Sequence, residues 1–276
     1  MILMTGEDIN QEIRTNLKSE IKGYMIKPCL AIIQIGDNKN CYIDEKIKAC
    51  NEVGIYLKHI LFDDNTKEIE IINKIIELNN DDYVNGILLC LPFPEKYNTD
   101  RLINYIARNK DVGGLTDLSV GKLFNNKKTF VPPIASTIMA LCKHYEINLS
   151  GKHAVVIDKS SLIGKPMISL LIEQEAIVTI SKPKSEGIDK IISSADIIIT
   201  ASDIKTMIVG SKIKKGTAIF DMTIIEDDNL SGDTAYEEIK DKIAYIATSA
   251  SKEITSVIVS MLLNNVIEAY RKMNNI

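Results

Sequence analysis

The sequence predicts an α/β protein of two domains built on mostly parallel strands. Three observations carry this reading. Short apolar runs alternate with longer segments of helical period along most of the chain, as in parallel sheets covered by helices on both faces. The chain has 276 residues, more than the roughly 250 at which a single core usually stops growing. A polar stretch with two prolines at 122–133, "KLFNNKKTFVPP", interrupts the alternation and marks an interdomain crossing.

The elements follow in order. "CLAIIQI" reads as a buried strand, and "CYIDEKIKACNEVGI", residues 41–55, as one helix. In that helix Tyr42 and Lys46 stand four residues apart, a spacing that places both on one face. Ile43, Ile47 and Cys50 form the adjoining apolar stripe, so Lys46 borders a buried surface rather than opposing it. Next come the helix "IEIINKIIELNN" and the strand "GILLCL". Beyond the crossing, "HAVVI" leads to "PMISLLIEQE", "AIVTI" to "IDKIISSA", and then to "DIIIT" and "TAIFD". The closing helix, "ITSVIVSMLLNNVIEAYRK", is apolar enough to pack beyond its sequence neighbours.

Composition excludes several functions. Apolar residues at 45%, charged residues at 25% and a net charge of -4 describe an ordinary globular chain without a basic field for nucleic acid. Cys29, Cys41, Cys50, Cys90 and Cys142 are scattered, with no C-x-x-C pair, which suggests reduced thiols. His59, His144 and His153 lack metal-ligand spacing and are expected to be structural or solvent-facing. The N-terminal apolar stretch is too short for a signal peptide, and no run reaches about 18 apolar residues, so a cytoplasmic, non-membrane protein is expected.

The second half opens with "GKHAVVIDKSSLIGKP", a strand, a short loop and a helix with Pro166 in its first turn. Free N–H groups at such a helix N-terminus can hold a dinucleotide pyrophosphate. A full G-x-G-x-x-G is absent; Gly164 alone stands in the turn, and an ordinary strand-to-helix connection is the competing reading.

Taken together, six segments in order resemble the bifunctional methylenetetrahydrofolate dehydrogenase/methenyltetrahydrofolate cyclohydrolase family over nearly the whole chain. "PCLAIIQIGDN" with "YIDEKIKACNEVGI" is similar to P-x-L-A-x-I-x-V-G-D-N and Y-V-x-x-K-x-K-A-x-x-x-x-G-I, with a shorter spacer before Tyr42. "GILLCLPFP" resembles G-I-L-V-Q-L-P-L-P, and "KDVGGLTDLSVGKL" resembles K-D-V-D-G-F-x-x-x-N-x-G-x-L. "LSGKHAVVIDKSSLIGKP" resembles L-x-G-K-x-A-V-V-I-G-R-S-x-I-V-G-K-P, and "SMLLNNVIEAYRK" the closing helix.

The resemblance implies an N-terminal α/β folate domain at 1–125 and 258–276, the last helix returning to it, and a Rossmann-like NAD(P)-binding domain at 126–257. It implies a folate-type ligand, a homodimer, and NADP as cofactor, with NAD or no tightly held nucleotide as alternatives. Lys46 would manage the proton of the attacking water, and Tyr42 would position the pterin. Cys90, Leu91, Pro92, Asp111 and Gly113 fall at substrate positions. Asp158, Lys159, Ser160, Gly164, Ser181 and Lys182 fall at cofactor positions.

Several positions depart from the pattern. Cys90 stands for a glutamine that bonds the lysine, and a thiol is a weak donor and acceptor. Gly113 stands for an aspartate that grips the pterin, a charge-assisted contact worth roughly 1.5–3 kcal/mol. Asp158 stands for the glycine of G-R-S, while Lys159 keeps the arginine's charge. "SASKEITS" replaces P-V-P-G-G-V-G-P, with Lys252 and Glu253 near the glycine positions, and "PPIA" replaces P-C-T-P. Ligand loops have changed while apolar runs persist. The reading is therefore an impaired enzyme of one-carbon folate metabolism, with a pseudoenzyme or repurposed relative as the alternative. A Rossmann-type oxidoreductase acting on another small substrate would leave Tyr42 and Lys46 unexplained.

Overall fold

A computed structural model describes residues 1–36, 42–158, 160, 162–202, 204–223, 232–249 and 251–276. In chain order the elements are β1 (Ile2–Leu3), α1 (Glu7–Ile21), β2 (Cys29–Ile35), α2 (Ile43–Val53), β3 (Tyr56–Phe62), α3 (Glu68–Asn79) and β4 (Gly86–Leu89). Then come α4 (Thr99–Asn104), α5 (Asp117–Phe124), α6 (Pro133–His144), β5 (His153–Ile157), α7 (Gly164–Glu173) and β6 (Ile177–Ile180). The chain ends with α8 (Ile188–Ser194), β7 (Ile197–Thr200), β8 (Ala218–Asp221), α9 (Tyr236–Ile239), β9 (Tyr245–Thr248) and α10 (Lys252–Asn274). This is the two-domain α/β fold the alternation predicts.

The chain divides into two compact units, Asn10–Pro133 with Val259–Ile276, and Met1–Ile9 with Ile134–Ile258. The first contains a parallel sheet of order β3-β2-β4. All seven residues of its central strand, β2, are buried, because the strand has a core on each face. Leu30 and Ile32 join a cluster with Leu17, Ala49, Cys50 and Val266, whereas Ala31 and Ile33 join one with Ile71, Ile75 and Leu102. The alternation of side chains along a strand produces that division.

The return of α10 to this unit rests on polar contacts as well as burial. Asn265 Nδ2 donates to Val112 O and to Val131 O, both at 2.9 Å, and so ties the helix to the turn that carries Gly113. The buried Arg14 donates to Ser260 Oγ at 2.9 Å and pairs with Glu45 and Glu52 of α2 at 2.7 and 2.8 Å. These bonds link α1, α2 and α10.

The second unit contains a parallel sheet of order β1-β9-β8-β7-β5-β6. Its first strand was not foreseen. The domain boundary expected at 1–125 assigns the N-terminus to the folate half, but Ile2 and Leu3 pair with Tyr245 and Ile246, and residues 1–9 belong with this sheet. The unit also begins at Ile134 rather than at 126. A two-residue edge strand has too few side chains to show a period, and its place is fixed by backbone bonds. Likewise, the stretch at 249–256 contains the start of α10 at Lys252, two residues before the expected helix. Ser251 Oγ bonds the Glu253 carboxylate there, an interaction that holds that carboxyl below the usual range.

Candidate functional site

Both sheets are parallel, so their C-terminal edges are where loops can bring side chains to a ligand. In the first unit α2 follows β2 at that edge. The helix covers 43–53 rather than 41–55, because Tyr42 adopts a left-handed backbone (φ 47°) at its N-cap and Gly54 another (φ 94°) at its end. Lys46 N donates to Tyr42 O at 3.1 Å, closing the first turn. Ala49, Cys50 and Val53 are buried and Ile43 packs on the same core, but Ile47, expected in that stripe, is 36% exposed. Tyr42 is likewise 36% exposed, and partial burial raises its phenol pKa.

Lys46 is half-buried beside this apolar surface. Loss of hydration pulls its ammonium down from 10.5 to about 8, with Cys50 opposing the shift weakly. The Cys50 thiol itself is pushed up to about 12 by burial. A lysine in this range exchanges its proton near neutral pH, as a general base requires.

Cys90 leaves the end of β4, its N–H donating to Ile33 O at 2.8 Å, and its side chain is in the same core as Ala49 and Cys50. Cys90 is disulfide-bonded, whereas Cys29, Cys50 and Cys142 are free and buried; Cys41 lies outside the described residues. This corrects the expectation of reduced thiols throughout, because pairing in space is invisible to sequence spacing. It also removes the cysteine argument for a reducing compartment. Leu91 and Pro92 follow, joined by a cis peptide bond.

Asp111 and Gly113 occupy the next loop and differ in kind. Asp111 is buried, and its carboxylate accepts from Leu115 N (3.1 Å), Thr116 N (3.0 Å), Thr116 Oγ1 (2.8 Å) and Ser119 Oγ (2.6 Å). It is an internal clamp on the start of α5 and has little capacity left for a ligand, contrary to its expected substrate role. The adjacent Lys110 is also internal: its ammonium donates to Leu78 O (2.9 Å) and Asp81 O (2.7 Å), closing the end of α3. Gly113 is open to substitution. A Cβ there would meet Leu115 and Leu88 at an ordinary 3.5 Å, whereas one at Gly114 (φ 66°) would strike Phe130 O at 2.6 Å.

In the second unit Asp158 follows β5. Its Oδ1 accepts from Ser160 N at 2.8 Å, and its Oδ2 from Ser160 Oγ at 2.6 Å and from Gly164 N at 3.1 Å. Ser160 Oγ in turn accepts from Leu162 N and Ile163 N at 3.2 and 3.1 Å. Ser181 stands at the same edge, since its N–H donates to Val156 O at 2.9 Å; the next residue, Lys182, is exposed. Lys159 lies outside the described residues.

The comparisons with known proteins identify the two halves of the chain. The catalytic-domain family model of tetrahydrofolate dehydrogenase/cyclohydrolase matches residues 4–113, and its NAD(P)-binding-domain model matches 132–274. The chain belongs to this family. It is 33% identical to the bifunctional protein FolD of Clostridium tetani, over 98% of this chain and 99% of that one, and 34% identical to that of Staphylococcus epidermidis, over 97% and 96%. Among solved structures it is similar to the FolD methylenetetrahydrofolate dehydrogenase/cyclohydrolase of Campylobacter jejuni (TM-score 0.92, 31% identity, 99% of each chain). It is also similar to the Trypanosoma brucei enzyme complexed with NADP cofactor and inhibitor (TM-score 0.91, 25% identity, 98% and 97%).

For a family member, one feature of the cofactor half escapes sequence reading: two buried carboxylates at the sheet edge. Asp221 accepts from Thr223 N (3.2 Å), Thr234 N (3.0 Å) and Thr234 Oγ1 (2.8 Å), and burial raises its pKa. Asp233 bonds Thr200 Oγ1, Ser202 N (2.7 Å) and Ile204 N (3.1 Å). The only available signal was an aspartate ending the run "TAIFD". Exposed His59 is hydrogen-bonded to Gln34 Oε1 (3.0 Å) and half-buried His153 to Thr179 Oγ1 (2.9 Å), within the expectation of structural or solvent-facing histidines. Among the described residues no group of His, Cys, Asp and Glu could hold a metal, and no helix is long and apolar enough to cross a membrane.

The depressed pKa of Lys46 makes stability depend on pH with a definite sign. The unfolded chain keeps the lysine proton to about 10.5, and the folded chain releases it near 8, so stability rises between those values. Lys46→Met is expected to stabilise the protein at pH 7 by on the order of 1 kcal/mol, about 2–4 °C in Tm. That gain should shrink toward pH 10. Thermal melts at both pH values check it, and a pH-independent difference would contradict it.

Proposed function

We propose that the chain is a methylenetetrahydrofolate dehydrogenase/methenyltetrahydrofolate cyclohydrolase of one-carbon metabolism whose hold on both ligands is weakened. The observation that carries this reading is the desolvated Lys46 at the edge of the catalytic-domain sheet, with a pKa of about 8. In the hydrolytic step water adds to the electron-poor methenyl carbon, and the proton it loses must be taken up as the C–O bond forms. A neutral Lys46 amine can accept that proton, and the ammonium so formed can return it when the ring C–N bond breaks to leave the formyl product. The rate should follow the fraction of neutral lysine and rise with pH up to about 8. Tyr42, at the N-cap of the same helix, offers a half-exposed ring to the flat pterin.

Two positions account for the weaker hold on the folate. Cys90 supplies no side-chain amide beside the lysine, and Gly113 supplies no carboxylate for the polar edge of the pterin. The same losses support the second reading, a non-catalytic relative that keeps the fold. Restoring both groups separates the two. A Cβ at Gly113 meets only ordinary contacts, and the folding of Gly113→Asp combined with Cys90→Gln is checked first by circular dichroism and thermal melting. Because Cys90 is disulfide-bonded, assays are run under reducing conditions with Cys90→Ser as the control for loss of that bond. The double variant should hydrolyse methenyltetrahydrofolate at least tenfold faster, about 1.4 kcal/mol of transition-state stabilisation, and Lys46→Ala should abolish the gain. A folded, folate-binding double variant that stays inert would favour the non-catalytic reading.

The nucleotide-binding half also supports a homodimer. Its edge strand β6 carries exposed Ile177 and Ile180, and Ile172 of the preceding helix is exposed as well. An uncharged apolar edge strand is a template for pairing with a second copy. Light scattering should give a dimer mass for the native chain and a monomer mass for Ile177→Lys; a native monomer would refute the assignment.

A further inference from the structure

The first turn of α7 is where a member of this family would present backbone donors to a dinucleotide, yet the donors are already engaged. Ile163 N is bonded to Ser160 Oγ, Gly164 N to the Asp158 carboxylate, and Lys165 N to Ser160 O at 3.0 Å. Pro166 has no N–H to give. Met167 N, next in line, makes the first regular helical bond, to Ile163 O at 2.9 Å. Ser160, whose hydroxyl could reach an incoming phosphate, donates it to Asp158. Among the described residues every first-turn donor therefore has a partner within the chain. A pyrophosphate would meet a carboxylate where it needs open N–H groups. The residues present do not fit the cofactor in this arrangement.

We infer that Asp158 acts as a built-in anion that fills the pyrophosphate cradle of the NAD(P)-binding domain and sets the protein's affinity for dinucleotides. The carboxylate does what a phosphate does at a helix N-terminus: it accepts from the first-turn N–H and from the serine, and it lies at the positive end of the helix dipole. A dinucleotide must displace it, exchanging bonds already made for bonds of the same kind while two negative charges approach one another. No bond is broken covalently; the competition is one of occupancy. The effect is independent of the 2′-phosphate, so NADP and NAD are disfavoured alike. The inference rests on the family assignment of this domain and not on Lys46.

Calorimetry with NADP and NAD on the native chain, Asp158→Gly and Asp158→Asn tests it, with adenosine as the probe that lacks a pyrophosphate. The native chain should bind both dinucleotides weakly. Asp158→Gly, which empties the cradle, should bind both at least tenfold more tightly. Asp158→Asn removes the charge but keeps one carbonyl oxygen that can accept from either Ser160 N or Gly164 N, so it controls in part for loss of the turn and should tighten binding by a smaller factor. Adenosine binding should not change. Submicromolar NADP affinity in the native chain would overturn the inference, and so would folded variants that bind dinucleotide no better than the native chain. Neither result bears on methenyltetrahydrofolate hydrolysis by Lys46, which uses no nucleotide.

Discussion

The rest of this structure depends on the burial of parallel strands on both faces. A strand such as β2, with every side chain in one core or the other, can offer no chemistry along its length. Function is pushed to the C-terminal edges, where loops and helix starts meet solvent. Lys46 shows how an ordinary packing demand lowers a lysine's pKa. Its helix must seat Ala49, Cys50 and Val53 against β2, and that docking draws the lysine, one turn earlier, into a partly dry environment. Desolvation is the main cause that moves its pKa toward neutrality. The tie from Arg14 to Glu45 and Glu52 holds the same helix from its polar side.

The scaffold was legible in the sequence because apolar runs answer directly to burial. The runs at 29–35, 153–157 and 197–200 all became strands, and the helical period around 69–80 became α3. What stayed hidden depends on geometry across the chain. No periodicity announces that Ile2 and Leu3 extend a sheet whose other strands begin at residue 153. Asp111 matched a motif position, but whether an aspartate faces a ligand or its own chain is decided by the segment at 111–119, which closes on it with four donors. The disulfide of Cys90 is equally a matter of proximity in space.

The proposed departures from the family pattern are of two physical kinds. At Gly113 a group is missing, and a Cβ built there meets only ordinary contacts. At Asp158 a group is added, and the loop makes three bonds to its carboxylate. A loss of the first kind weakens a contact and is repaired by putting the contact back. An addition of the second kind satisfies the helix from within, so the fold is not left with orphan donors when the dinucleotide is absent.

The central claim is that packing of α2 desolvates Lys46 enough to bring its proton exchange near neutral pH. The most direct measurement is an NMR titration of the lysine side chains with ¹³C-labelled lysine, the Lys46 signal being assigned by Lys46→Arg. The account predicts a midpoint near 8 for that one resonance, well below the ordinary lysine range. A midpoint near 10.5 would mean that the ammonium is as hydrated as any surface lysine, and the proposed base would have no physical support.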